Sequence, residues 1–530
     1  MLFVSYEFVG FMILSFVLYY LVPKRFQWIL LLAASYIFYF IAGIYYPIFI
    51  FTTTLTTYLI GRRLDLLNDV QASYLMEHKE MNRDEKKQYK TAMSRRRRRC
   101  MLFCLLFNLG ILAVIKYTNF AIDNVNQVLA LAGSDAEVDF VDWILPMGIS
   151  FYTFQSMGYL LDVYWGKAKA QKNFFRFALF VSFFPQLVQG PISRYHDLAP
   201  TLFAEHTYDW QKVKLGLERI AWGYFKKMVI ADRILIAVNY IMDDPEYYSG
   251  AWVLVGMLFY AVELYADFTG GIDITIGIAQ VFGVKVTENF ERPYFSKNIA
   301  EYWRRWHITM GTWFRDYIFY PMSISKSMRK LTTFTKKHLG KGAAKRLPVY
   351  IATLVTWFAT GIWHGASWNF IVWGLMNGVV ILISQEFDPL YEKFHEKFPK
   401  LQGNVFYNIF QIGRTFLLMC SLRLFDCYED VPTAFAAFFS MFTDFHISAL
   451  TGEEFLYFEL TAADYVILAV GVAIMLLVSI LQRKGSVRAR LEKKPAAVRY
   501  PVYACMLLAI IMLGAYGIGY DATQFIYNQF

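Results

Sequence analysis

An all-α polytopic membrane protein, with about twelve crossings and additional helices that do not cross, is the fold class that three observations predict. Hydrophobic residues make up 57% of the 530-residue chain and aromatic residues 19%, more than the surface of an ordinary soluble enzyme carries. The apolar residues gather into runs of roughly 17 to 25, the length at which a helix covers the hydrocarbon. Charged residues, only 18% of the total, collect in a few connecting segments. Helices must do the crossing, because lipid satisfies no backbone N–H or C=O.

The first apolar run, 8–22, is followed by Lys24 and Arg25. That charge order is the reverse of a secretory signal, so the run is expected to remain as a span. Orientation follows from the basic residues. Segment 61–99 holds twelve Lys/Arg against six Asp/Glu, 322–346 holds eight against none, and 483–499 holds seven against one. These are expected on the cytoplasmic side, whereas 119–142, 242–250 and 426–464, which contain no Lys or Arg, are expected outside. Threading the chain accordingly gives spans near 8–22, 26–42, 46–61, 100–118, 143–165, 213–240, 251–269, 347–365, 366–384, 404–425, 463–482 and 500–522. Both termini then lie outside a cell membrane. Segments 173–212 and 270–321 leave and return on the cytoplasmic side, which membranes tolerate only for backbone that lines a cavity or is buried in protein. The whole of 1–530 reads as one membrane domain with a basic cytoplasmic insertion at about 61–99.

That insertion ends in Arg95 to Arg99. A polybasic stretch at a span end is an anchor to anionic lipid headgroups; a docking surface for an acidic carrier or for phosphates is the alternative. The five cysteines show no CxxC and no metal spacing. The chain has no HExxH and no GxxxxGK[ST], and Gly148-Ile149-Ser150-Phe151-Tyr152 lacks the last glycine of a nucleophile elbow. A zinc hydrolase, a P-loop pump and an α/β-hydrolase are therefore unsupported. No metal, no permanently bound cofactor and no nucleic-acid partner are expected.

Two places carry ionisable groups where they are costly. His364 lies in residues 351–383, a stretch without Lys, Arg, Asp or Glu, and an imidazole there marks a site by default. The threading puts it near the outer end of the eighth span, and puts His307 on the cytoplasmic side, so a passage between opposite faces is expected. Residues 265–320 set Asp267, Asp273, Lys285, Glu288, Glu291, Arg292, Lys297, Glu301, Arg304, Arg305, His307, Arg315 and Asp316 into aromatic and apolar sequence. Charges so placed need partners. In a helix, Trp303 with Trp306 and Arg304 with His307 share adjacent faces. On composition alone this reads as an interfacial amphipathic helix with snorkelling Arg and a Trp belt.

The order of motifs adds more. The stretches LPMGISFYTFQSMGYLLDVYWG (145–166), FVSFFPQLVQGPISR (180–194), GYFKKMVIADR (223–233), the block 265–320 and TGIWHGASWNFIVWGLMNG (360–378) resemble the membrane-bound O-acyltransferase (MBOAT) family. The likeness is to its bacterial branch that modifies envelope polysaccharides, the alginate O-acetylation type. It spans most of the chain in the right order and favours a site over a lipid-facing belt. Residues 421–427 (SLRLFDC) depart from that branch, as does the basic insertion, so the resemblance names no single polysaccharide.

What the resemblance implies is a helical funnel or tunnel, with the acyl donor arriving from the cytoplasm and the acceptor from outside. His364 matches the family's catalytic histidine and His307 the second family histidine. Trp303, Arg304, Arg305, Trp306, Arg315, Asp316 and Trp363 are expected to bind donor or line the tunnel. Acetyl-CoA is the expected donor. The expected acceptor is a polysaccharide, reached through a separate extracytoplasmic O-acetyltransferase. D-alanyl transfer from an acylated carrier protein, for teichoic acid modification, is the alternative within the family. A glycan or lipid transporter with histidine proton relays is the alternative from another class, although no inverted repeat of the spans is apparent.

Overall fold

The computed structural model describes residues 3–143, 145–447, 450 and 453–515. Among these no β-strand forms, and seven helices are long and apolar enough to cross a membrane. The protein is an all-α, multi-pass membrane protein. Residues 516–522, the end of the last expected span, and the C-terminus lie outside the described residues.

The chain divides into two compact units, Met1–Gly216 with Ile278–Thr287, and Leu217–Gly277 with Glu288–Phe530. The first contains Tyr6–Leu21 (α1), Gln27–Ala42 (α2), Tyr46–Glu77 (α3), Arg83–Leu131 (α4) and Ile149–Tyr164 (α5). Helices α3 and α4 run far past the expected spans and turn the basic insertion into a helical hairpin. Asn82 and Glu85 exchange side-chain-to-backbone hydrogen bonds of 2.9 Å each, a capping box that starts α4. Arg97 donates to Gln71 Oε1 at 2.9 Å across the hairpin. A strongly charged helix carries no apolar stripe to announce it, which is why the sequence shows only an insertion.

Helix α5 is buried on every side from Phe151 to Val163. In segment 173–212, Phe174–Ser182 (α6) and Tyr195–Leu202 (α7) have nine and eight residues. At ~1.5 Å per residue neither crosses the hydrocarbon, as expected of a non-spanning segment.

The second unit begins within Trp210–Tyr224 (α8), which passes through a π-helical turn, Phe225–Ala231, into Asp232–Asp243 (α9). Ala251–Val281 (α10) follows. Here the expected boundary is corrected, because α10 continues unbroken through Gly270 and Gly271. A Cβ at Gly270 would approach Lys227 N to 3.3 Å, so this glycine lets the π-helical turn close onto α10 rather than ending it. The non-spanning part consists of Ile299–Arg305 (α11) and Ile308–Phe314 (α12), seven residues each. Then come Gly340–His364 (α13), Trp368–Glu386 (α14), Val405–Arg423 (α15), Ala462–Leu481 (α16) and Ala496–Leu513 (α17).

Three carboxylates of 265–320, Asp267, Asp273 and Glu288, find their partners on α8 and the π-helical turn. Asp267 pairs with Lys227 at 2.5 Å, and Lys227 also holds Asp232 at 2.7 Å. Asp273 takes Lys226 and Arg219 at 2.7 Å each, and Arg219 forks onto Glu288 at 2.6 and 2.5 Å. Bidentate geometry of this kind suits the planar guanidinium.

Candidate active site

The segment carrying His307 is shaped by local capping. Asn298 Oδ1 accepts from Glu301 N–H at 2.8 Å and starts α11, while Glu301 pairs with Arg305 one turn on at 2.7 Å. The helix stops at Arg305, and His307 takes a left-handed conformation at φ 46°, ψ 53° before α12 begins. A non-glycine residue held there costs on the order of 1–3 kcal/mol.

Asn289, eighteen positions earlier, holds it. Its carbonyl accepts from Ile308 N–H at 2.9 Å, and its Oδ1 accepts from Thr309 N–H at 3.0 Å and Thr309 Oγ1 at 2.9 Å. The same Oδ1 lies 3.3 Å from His307 Nδ1. An amide oxygen only accepts, so Nδ1 carries the proton and Nε2 of the neutral ring keeps its lone pair. Burial, reinforced by the charge of Arg423, holds the His307 imidazole below its ordinary value, at about 3. It is neutral at physiological pH.

His364 is the last residue of α13, placed by the tight α13–α14 hairpin. A Cβ on Gly361 would lie 2.4 Å from Phe370 O, and one on Gly374 2.4 Å from Trp357 O. Small residues thus let the two backbones nearly touch, which brings Trp373 of α14 against His364. Their ring centroids are 4.6 Å apart, edge to face. Trp363 stands 5.0 Å from His364 and 5.9 Å from His307. The two imidazoles therefore lie no more than about 11 Å apart, the sum of those separations. This corrects the expectation of histidines on opposite faces, since the hydrocarbon alone is ~30 Å thick. The turn between α11 and α12 brings His307 to the end of α13, whereas charge counting had left it in a cytoplasmic segment.

A third group joins them. Arg423, at the end of α15, is buried and pairs with Asp426 at 2.7 Å. Its guanidinium carbon lies 4.9 Å from the ring centroid of Trp373, 5.4 Å from Trp306 and 5.9 Å from Trp303, a cation enclosed by three indoles. Trp303 Nε1 donates to Asn377 Oδ1 at 3.1 Å, and Asn377 Nδ2 donates to Trp373 O at 2.8 Å.

The structure thus gathers His307, His364, Trp363, Trp306 and Trp303 of the expected site. Of the others, Arg304 is exposed, Arg305 is engaged by Glu301, and Arg315 pairs with its neighbour Asp316 at 2.8 Å. Arg423, Trp373, Asn289 and Asn377 were not foreseen as site residues. Arg423 alone gave a signal, as an ionisable residue within a span. In the same unit a cavity of about 1000 Å³ is lined by Arg219, Lys226, Arg292 and Arg488 and by the carboxylates of Glu218, Asp273, Glu288 and Glu291, among apolar side chains, and reaches Phe290 and Ile308. Ile308 follows His307, and the Phe290 ring is 5.1 Å from Trp306.

A multi-pass helical protein with a buried histidine pair, each imidazole against an aromatic ring, is the class that this fold and site define. The model of MBOAT, the membrane-bound O-acyltransferase family, matches residues 168–336 and 338–423, and the chain belongs to that family. It is 34% identical over 370 residues to a protein of Azotobacter vinelandii designated a probable alginate O-acetylase, covering 69% of this chain and 65% of the relative. It is 31% identical over 327 residues to the peptidoglycan O-acetyltransferase of Helicobacter pylori, covering 57% and 58%. It is 30% identical over 283 residues to the teichoic acid D-alanyltransferase of Bacillus subtilis, covering 52% and 66%. In each case the match spans less than two thirds of the relative's own length.

Proposed function

We propose that this chain is an O-acyltransferase of the cell membrane, moving an acetyl group from a cytoplasmic thioester to an extracytoplasmic hydroxyl. The observation that carries the reading is the His307–Trp363–His364 centre, two buried imidazoles within about 11 Å of each other. It suits transfer between two substrates that meet inside the protein.

His364 takes the proton of the acceptor hydroxyl as its oxygen attacks the acyl carbonyl carbon. General-base help of this kind contributes about 10² to 10⁴ in rate. The carbonyl then re-forms, the C–S bond breaks, and the thiolate leaves as thiol with the proton His364 has held. Neutral His307, with its lone pair on Nε2, orients the donor without adding a charge. Holding donor and acceptor together in one narrow place supplies much of the remaining acceleration. Of the basic side chains lining the cavity that reaches Ile308, Arg292 and Arg488, rather than the carboxylate-paired Arg219 and Lys226, are suited to the phosphates of a donor such as acetyl-CoA.

The acceptor in this reading is an envelope polysaccharide, reached through a separate extracytoplasmic transferase. The relatives designated as acting on alginate and peptidoglycan support acetyl transfer. The Bacillus subtilis relative supports the second reading, D-alanyl transfer from a carrier protein. Membranes containing the protein, given radiolabelled acetyl-CoA and, separately, a carrier loaded with labelled D-alanine, separate the two. Label from acetyl-CoA upholds the first, label from the carrier alone selects the second, and label from neither sinks both. Full-rate acetylation of free polysaccharide by the purified chain would contradict the need for a partner.

A further inference from the structure

We infer that Trp373 is a catalytic residue whose indole N–H holds the acyl carbonyl oxygen while negative charge develops on it. The inference rests on the acyl-transfer reading and adds to it the electrophilic half of the reaction. Trp373 is fully buried, and among the described residues its Nε1 has no hydrogen-bond partner. An unsatisfied buried donor costs about 1–3 kcal/mol, and a bound oxygen is what would satisfy it. Trp303, on the same guanidinium, contrasts with it by having its N–H taken by Asn377.

Position and electronics both favour this role. The Trp373 ring lies 4.6 Å from His364, so an oxygen at the indole edge is within a substrate's reach of the base. The buried Arg423 guanidinium, 4.9 Å from the ring centroid, draws electron density from the indole face and makes its N–H a stronger donor. Asn377 fixes the backbone of Trp373 through its carbonyl. Helix α14 carries both residues, so the donor sits on a rigid element.

The step balances. The acceptor oxygen forms its bond to the acyl carbon, the carbonyl π pair moves onto the oxygen held by Trp373, and the hydroxyl proton goes to His364. When that pair returns, the C–S bond breaks and the thiolate leaves as thiol, taking the proton from His364.

The test replaces Trp373 with β-(3-benzothienyl)alanine, an isostere of the same shape whose sulfur stands where the N–H was, in the full chain reconstituted in bilayer vesicles. Removing one such donor is expected to lower kcat by about 10² to 10³, with KM for the acyl donor within about threefold. A kcat within threefold of wild type in a correctly folded isostere would overturn the inference, since packing alone survives the exchange. Trp373→Phe supplies a second reading: a kcat loss as large as the isostere's supports the N–H, and full activity overturns it. His364→Ala in the same assay keeps the two ideas apart. If transfer needs His364 but not the N–H, this inference fails alone; if transfer is indifferent to His364, the acyl-transfer reading fails with it.

Discussion

Two buried polar regions of the second unit are built on opposite plans. Around Lys226 and Lys227 each cation meets carboxylates at 2.5 to 2.7 Å, and Arg219 adds a two-pronged bond to Glu288. Around His307 and His364 the neighbours are rings: Phe268, Trp363, Phe370 and Trp373. The first arrangement spends its polar capacity on itself and ties α8, the π-helical turn, α9 and α10 together. The second keeps imidazoles in an apolar enclosure, His307 in its neutral form, beside one cation that is itself enclosed by indoles. An ion cluster paired within itself holds a fold; in the acyl-transfer reading, imidazoles among aromatic rings act on a substrate.

Lys227→Met leaves Asp232 and Asp267 buried without their cation, and losing one partner of a buried ion pair costs about 3–5 kcal/mol. A sharp fall in melting temperature or in folded yield is expected. Unchanged stability would mean that the cluster is not structural.

Next comes Asn289→Ala, which strips the acceptor from Thr309 N–H and Oγ1 and from His307 Nδ1. Leaving buried donors unsatisfied costs about 1–3 kcal/mol. Transfer activity is expected to fall by more than stability explains, because the His307 tautomer is released. Kinetics and melting measured on the same preparation decide.

A smaller effect appears on acidification. The unfolded chain protonates His307 near 6.5, whereas the folded chain resists until about 3. The unfolded state therefore binds more protons in this window. The contribution of the neutral imidazole is fully present above pH 6.5 and is lost as pH falls from 6.5 toward 3, by up to about 1.4 kcal/mol per pH unit. His307→Gln should flatten that part of the stability profile in a melting series from pH 7 to pH 5, and an unaltered slope would contradict a neutral His307.

The smallest effect belongs to a control. Arg346 and Glu386 pair at 3.1 Å on a half-exposed surface, and Arg346→Ala is expected to cost under about 1 kcal/mol.

How far the sequence showed this depends on the range of the signal. Some span positions were legible because burial in lipid demands long apolar runs, and α2 and α14 to α16, four of the helices able to cross, begin and end near where those runs do. His364 was legible for the same reason, as a polar exception inside such a run. The separation of the histidines was not. Loop charges report which side a segment starts from, and say nothing of how close the turn between α11 and α12 comes to the end of α13. Arg423 fell under the same intramembrane rule as His364 but sat at a span end, where an arginine looks like an anchor. Trp373 carried no signal, since tryptophan in an apolar run is ordinary, and Asn289 acts through a contact eighteen residues distant that no local pattern encodes.

Acyl transfer at the His307–Trp363–His364 centre stands or falls on two proteins measured side by side. Wild-type and His364→Ala proteins, matched for folded amount by their melting curves, are assayed in vesicles for transfer of label from acetyl-CoA to an acceptor. The expected result is a loss of about 10² to 10⁴ in rate with stability nearly unchanged. Transfer by His364→Ala at the wild-type rate would contradict the account.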